Sequence, residues 1–259
     1  MAFVKNALAE AISERKYSLF DLDGVFYPIT QEILDTYAVA VAQAAIDCGC
    51  ALSIKRGVEI AWESWNTHRY SLQLFVDRYG VNLEDMHNRY HAHCDTSIIH
   101  IDKRIPSRFA KLKQQNKQYG ILTHGGKEWT RRLLDYLGVG LFFPDNAICA
   151  LEDVGYQRKT ESIAPFVHVI KKEGYCPKKF VMVDDSKENL KFAKKAGMMT
   201  VFITQGKYVN LRKLPHVDYT VRDLSEYLEA ATNMHPHKLA RPRLRMLQAR
   251  RHILSAAWR

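Results

Sequence analysis

No run of about 18 apolar residues occurs in the chain, so no segment reads as a membrane-spanning helix. There is no Cys-x-x-Cys pair. The five cysteines, Cys48, Cys50, Cys94, Cys149 and Cys176, are odd in number, which argues against a disulfide framework and points to free, mostly buried thiols in a reducing cytoplasm. Met1 to Arg15 lacks a long apolar stretch and carries Glu10 and Glu14 among alanines, so it reads as a short amphipathic helix and not as a secretory signal. Neither an internal repeat nor a low-complexity tract is present. Acids are missing from His235 to Arg259, where seven of the 38 basic residues fall. Most of the +10 net charge therefore sits in this tail, and residues 1–234 carry only +3. Leu244, Leu247, Leu254 and Trp258 recur among its arginines at helical spacing. Such a basic segment can contact nucleic acid or an anionic surface, or it can be a disordered or self-docking tail.

Between these limits lies a chain that is 47% hydrophobic, ordinary for a globular protein and long enough for one sizeable core plus a smaller module. Residues 31 to 103 contain few glycines or prolines and read as helical, with Ile60, Trp62, Trp65, Leu72, Leu74 and Phe75 as candidate buried positions. Apolar runs at 17–22, 119–123, 146–149, 179–184 and 199–203 alternate with helical patterns at 106–115, 127–137, 161–172 and 187–195. Alternation of this kind predicts a parallel sheet covered on both faces. The 75-odd residues between the first two strands are too many for a loop. The expectation is an α/β protein, a Rossmann-like parallel-sheet core with a helical cap domain inserted after the first strand. The core would comprise 15–28 and 104–230, the cap 29–103 and the basic tail 231–259.

Three of the strands end in reactive groups. Leu19-Phe20-Asp21-Leu22-Asp23-Gly24-Val25 runs from an apolar strand into two carboxylates one residue apart, then a glycine. At a spacing of two, both side chains leave a strand on the same side. Two such charges raise each other's pKa unless a cation lies between them, and hard oxygen ligands suit Mg²⁺. Tyr119-Gly120-Ile121-Leu122-Thr123-His124-Gly125-Gly126 ends in a hydroxyl and two glycines, and Phe180-Val181-Met182-Val183-Asp184-Asp185-Ser186 in two adjacent acids. Lys159 lies between these two runs, with Arg158 as a neighbouring competitor. The carboxyl ends of parallel strands share one edge, where ligands bind, so carboxylates, hydroxyl and lysine are expected to converge there. The bland alternative for the adjacent acids is a helix cap by Asp185 or Ser186, which is compatible with metal binding.

The order DLDGV, ILTHGG, Lys159, VMVDDSKEN resembles the four motifs of the haloacid dehalogenase superfamily of phosphotransferases, over roughly residues 15 to 230. Phe26-Tyr27-Pro28 and the run Asp184 to Asn189 are similar to its pyrimidine 5'-nucleotidase-like branch, which usually has Asn-Thr where this chain has Gly24-Val25. The resemblance implies a cap that closes over the site and selects substrate. It also implies Asp21 as nucleophile and Asp23 as general acid and base, a residue that the dehalogenases of the superfamily lack. Thr123 and the His124 turn would bind phosphate with Lys159. Mg²⁺ would be held by Asp21, the Asp23 carbonyl oxygen and Asp185, with Asp184 beside it and Asn189 orienting Asp185. The implied activity is that of a phosphomonoesterase acting on a small-molecule phosphate ester, first a nucleoside 5'-monophosphate and alternatively a sugar or cofactor phosphate. A mutase and a nucleic-acid-associated protein acting through the basic tail are the other readings.

Weaker signals lie in the helical segment. His87 and His91 stand four residues apart with His93 and Cys94 close behind, a spacing that zinc sites use but that packing residues share. Trp62, Trp65 and Tyr70 can be core residues or a platform for a base, and His68 and Arg69 are candidate substrate contacts from the cap.

Overall fold

The structure is a computed structural model and describes residues 2–233. The basic segment 235–259, with the partners suggested for it, lies outside the described residues. Six strands form one sheet: β1 Tyr17–Phe20, β2 Gln118–Leu122, β3 Ile148–Cys149, β4 Phe180–Asp184, β5 Met199–Ile203 and β6 Tyr219–Val221. Their spatial order is β3-β2-β1-β4-β5-β6 and every neighbouring pair is parallel. Strand order therefore reverses between β1 and β4, the place where ligands bind in sheets of this kind.

Strand alternation sorts the core into two layers. Phe20, Val181 and Val183 face one cluster, which takes in Leu8 and Ile12 of α1 (Ala2–Ser13), Phe109 of α6 (Ile105–Gln114), Leu133 of α7 (Lys127–Tyr136) and Tyr227 of α10 (Leu224–Thr232). Tyr17, Leu19, Phe180 and Met182 face the other, formed with Phe166 of α8 (Ala164–Glu173) and Leu190 of α9 (Lys187–Lys195). Because side chains alternate along a strand, residues 21 and 184 continue the second set, on the side of α8 and α9.

Between β1 and α6 lie four helices: α2 Gln31–Asp47, α3 Ile54–His68, α4 Gln73–Tyr79 and α5 Leu83–His93. Polar caps start three of them, with Thr30, Ser53 and Asn82 side chains accepting from Ile33, Arg56 and Asp85 N–H groups. The four share a core of their own built on Val41, Ala45, Ile60, Leu72, Leu74, Phe75 and Met86. Gly57 lets α3 lie directly on α2: a Cβ there would meet Ala42 Cβ at 2.6 Å. Trp62 and Trp65 are only half-buried, against the expectation of a full core role.

The sequence pattern differs from the structure in several places: of the expected strand 146–149 only Ile148–Cys149 pairs, and the expected helix 161–172 starts at Ala164. The first strand stops at Phe20, where the chain turns at Asp21, and β6 went unnoticed. All five cysteines are free. Among the described residues no helix is long and apolar enough to cross a membrane.

Candidate active site

Register brings the strand ends level. Phe20 pairs with Ile121 on one side and Val183 on the other, so Asp21, the Leu122–Thr123 step and Asp184 arrive at one edge together. The Asp21 N–H still donates to Val183 O at 3.0 Å, which fixes its carboxylate beside β4. The Leu22 N–H donates to Asp21 Oδ1 at 2.8 Å. Gly24 then turns the chain with φ +78°. A Cβ at this position would lie 2.0 Å from Asp185 Oδ2, so glycine is required both for the turn and for the approach to Asp185.

Lys159, not Arg158, enters this edge. Its ammonium is buried, 2.8 Å from Asp21 Oδ1 and 3.4 Å from Asp184 Oδ2, and donates to Leu122 O at 2.8 Å. Three partners account for its three N–H bonds. Burial alone would lower its pKa, but the charges of Asp21 and Asp184 outweigh burial and raise it. Lys159 therefore stays charged. Arg158 points to the helical insert, over the Tyr70 ring at 4.8 Å, with Glu161 as its ion-pair partner and His68 O within 3.4 Å.

Asp21, Asp184 and Asp185 each place a carboxylate oxygen within 4.8 Å of the others. One lysine does not balance three carboxylates. Burial first, and then the charge of Asp21, push Asp184 up to about 7. Burial, Asp184 and Asp21 push Asp185 well above the carboxylate range. Groups of this type, crowded and short of positive charge, are the donor set that a hard divalent cation fits.

Several expected roles change. Asn189 holds Asp184 and not Asp185: its Nδ2 lies 3.1 and 3.0 Å from the two Asp184 oxygens. The cap of α9 is Ser186, whose hydroxyl accepts from the Asn189 N–H, while the Ser186 N–H donates to Asp184 Oδ1 at 2.8 Å. The His124 ring is engaged elsewhere, and only the backbone of its turn is left for the expected phosphate contact. Its Nε2 accepts from the Lys159 N–H at 2.8 Å, and burial followed by the Lys159 charge keeps the ring neutral. His124 thus braces the backbone of Lys159, a link that a sequence separation of 35 hides from the sequence. Thr123 is buried, and its Oγ1 accepts from the Gly125 N–H at 2.9 Å, which leaves its own proton for an anion. His68 and Arg69 have exposed side chains, and Tyr70 packs beneath Arg158. His87 and His91 are buried against the Thr123–Gly126 loop, with His87 Nε2 donating to His124 O at 2.9 Å. They pack the junction and belong to no cluster of three metal-ligating side chains among the described residues.

Asp23 follows one residue after Leu22. Burial raises its pKa to about 6, against a lowering hydrogen bond from Tyr27. A carboxyl raised in this way can exchange a proton near neutral pH.

A parallel sheet in this order brings a lysine-paired aspartate to the switch point and two more acids to the next strand end, an arrangement suited to an anionic ligand and a hard cation. The family model for the haloacid dehalogenase-like hydrolases matches residues 16–197, and the chain belongs to that family. It is 25% identical over 234 residues to the glyceraldehyde 3-phosphate phosphatase of Methanocaldococcus jannaschii, covering 83% of this chain and 96% of that one. The enzyme of the same description from Methanopyrus kandleri is 26% identical over 222 residues, 80% and 91% of the two chains. Among solved structures, a haloacid dehalogenase-type phosphatase from Thermococcus onnurineus superposes with a TM-score of 0.57 at 22% identity, covering 82% and 95%.

Proposed function

We propose that the protein is a Mg²⁺-dependent phosphomonoesterase that works through an aspartyl-phosphate and acts on a small sugar phosphate of triose size. The observation that carries the chemistry is the buried Lys159 ammonium 2.8 Å from Asp21 Oδ1 at the sheet's switch point. Asp21 attacks phosphorus as the ester P–O bond breaks. The departing alkoxide takes a proton from Asp23. Asp23 then removes a proton from the water that attacks the phosphorus of the acyl phosphate, and Asp21 is regenerated. Lys159 and the Thr123 hydroxyl hold the phosphoryl oxygens. Asp21, Asp185 and the Asp23 carbonyl oxygen would hold Mg²⁺ with Asp184 beside it, and the ion would supply positive charge to the phosphoryl oxygens.

The metal reading has a consequence for stability. Acids whose folded pKa is raised lose stability as pH climbs from their unfolded value through the folded one, here from about 4 to about 7 for Asp184. A bound cation favours the ionised carboxylates. Added Mg²⁺ should therefore raise the melting temperature more at pH about 8 than at pH about 5. Calorimetric melts in chelator and in Mg²⁺ at the two pH values measure this. Equal shifts at both would remove the metal from this cluster.

Support for a sugar phosphate comes from the two archaeal relatives, which match over most of their length. The nucleotide, the first substrate expected from the sequence, was suggested by Phe26-Tyr27-Pro28 together with the run Asp184 to Asn189, but Phe26 is buried and stacked on Phe109 at 5.7 Å, and Tyr27 is 2% exposed. Neither ring is available to a base. A phosphate-release panel should give kcat/KM for triose phosphates at least ~10-fold above nucleoside 5'-monophosphates, a discrimination of about 1.4 kcal/mol. The reverse order would restore the nucleotidase reading.

A further inference from the structure

Asp23 does not stand alone. Tyr27, four residues on, donates its hydroxyl to Asp23 Oδ1, and its oxygen lies 2.9 Å from the Tyr37 hydroxyl. A phenol has one proton to give. With the Tyr27 proton committed to the carboxylate, the Tyr37 hydroxyl is the donor to Tyr27. Burial, then the Asp23 charge, raise both phenols further above their ordinary range, so each remains a neutral donor. Tyr27 is buried in the core, whereas Tyr37 belongs to α2 of the helical insert. The Tyr37 ring is clamped edge-on by Tyr90 of α5 at 6.1 Å and by Trp129 of α7 at 6.2 Å. The chain of hydroxyls thus starts at the contact between insert and core and ends on one oxygen of Asp23.

We infer that Tyr27 and Tyr37 are positioning residues for proton transfer to the leaving group. Tyr37 holds Tyr27, and Tyr27 holds Asp23 Oδ1, which leaves Oδ2 as the oxygen that carries the transferred proton. This rests on the acid role of Asp23 given above. It adds that the aim of Asp23 depends on where α2 sits: moving α2 off the core takes Tyr37 away from Tyr27 and frees the carboxyl to rotate. General acid assistance contributes on the order of 10²- to 10⁴-fold, and a misplacement of about 1 Å can remove 10²-fold. A loosened Asp23 should therefore lose a measurable part of that factor.

The test is leaving-group dependence. Glycerol phosphate releases a basic alkoxide that needs the proton, whereas dinitrophenyl phosphate releases a phenolate that does not. The readout is kcat/KM, which stops at the first irreversible step and so excludes the later hydrolysis of the acyl phosphate. In Tyr27→Phe the ratio of glycerol to dinitrophenyl kcat/KM should fall by ~10-fold or more. In Tyr37→Phe, which leaves the Tyr27 contact in place, it should fall by a smaller factor in the same direction. A structural defect lowers both esters alike, so an unchanged ratio in Tyr27→Phe, with or without lost activity, overturns the inference. An unchanged ratio in Tyr37→Phe alone overturns the link to the insert. Asp23→Asn separates this from the underlying mechanism. If its ratio falls steeply and the tyrosine variants do not follow, only the tyrosine inference is lost. If its ratio does not fall, the acid role of Asp23 goes and the inference with it.

Discussion

Asp21→Asn should lower turnover by at least ~10³-fold while the protein stays folded. The amide keeps the shape of the carboxylate and its contact with the Leu22 N–H, but it is not a competent nucleophile. The variant also removes one of three crowded charges. Asp21 is among the groups that push up Asp184 and Asp185, so the melting temperature in chelator should hold level or rise. Steady-state phosphate release and a thermal melt on the same preparation check both halves. Near-normal turnover would mean that water attacks the ester directly and that no aspartyl-phosphate forms.

Lys159→Met should be the most destabilising single change in the site. The lysine is 1% exposed, and methionine fills much of its stem, so the lost quantity is charge. Removing one partner of a buried ion pair costs about 3 to 5 kcal/mol, because the remaining charges stay buried without compensation. Here the remainder would be Asp21 and Asp184 facing each other. The loss should be largest in chelator at pH about 8, above the raised value of about 7 for Asp184, and Mg²⁺ should return part of it. Denaturant unfolding with and without Mg²⁺ measures the difference. A loss below about 1 kcal/mol would show that the carboxylates neutralise by taking up protons and do not lean on Lys159.

What could be read in advance follows from the range of each interaction. The strand ends announced themselves because an apolar run stopping at Asp21, Thr123 or Asp184 is a local pattern, and parallel pairing then dictates that such ends meet. Lys159 was separable from Arg158 only in three dimensions: adjacent residues point to opposite partners, Lys159 into the core and Arg158 onto Tyr70. Asn189 was placed near the right acids but on the wrong one, since choosing between Asp184 and Asp185 depends on the phase of α9 set by the Ser186 cap. The Tyr27–Tyr37 contact was invisible because it depends on the angle at which α2 leaves the core. β6 was missed because Tyr219–Val221 is three residues long at the sheet edge, with Tyr219 and Thr220 only half-buried, and carries no apolar run to signal it.

The level register of β1 and β4 makes the site far less tolerant of changes in chain length than of changes in side chain. Side chains along a strand alternate, so one residue gained or lost within β1 would bring Phe20 or Leu22 to the place of Asp21 and turn the carboxylate toward the opposite layer of helices. Both neighbours are fully buried and apolar, so such a slip would put a carboxylate into a greasy layer at the same moment that it removed one from the edge where Lys159 and Asp184 lie. The helical insert is free of this constraint, because it leaves and rejoins the core outside the strands. Insertions and deletions there leave the register of β1 and β4, and with it the meeting of Asp21 and Asp184, unchanged.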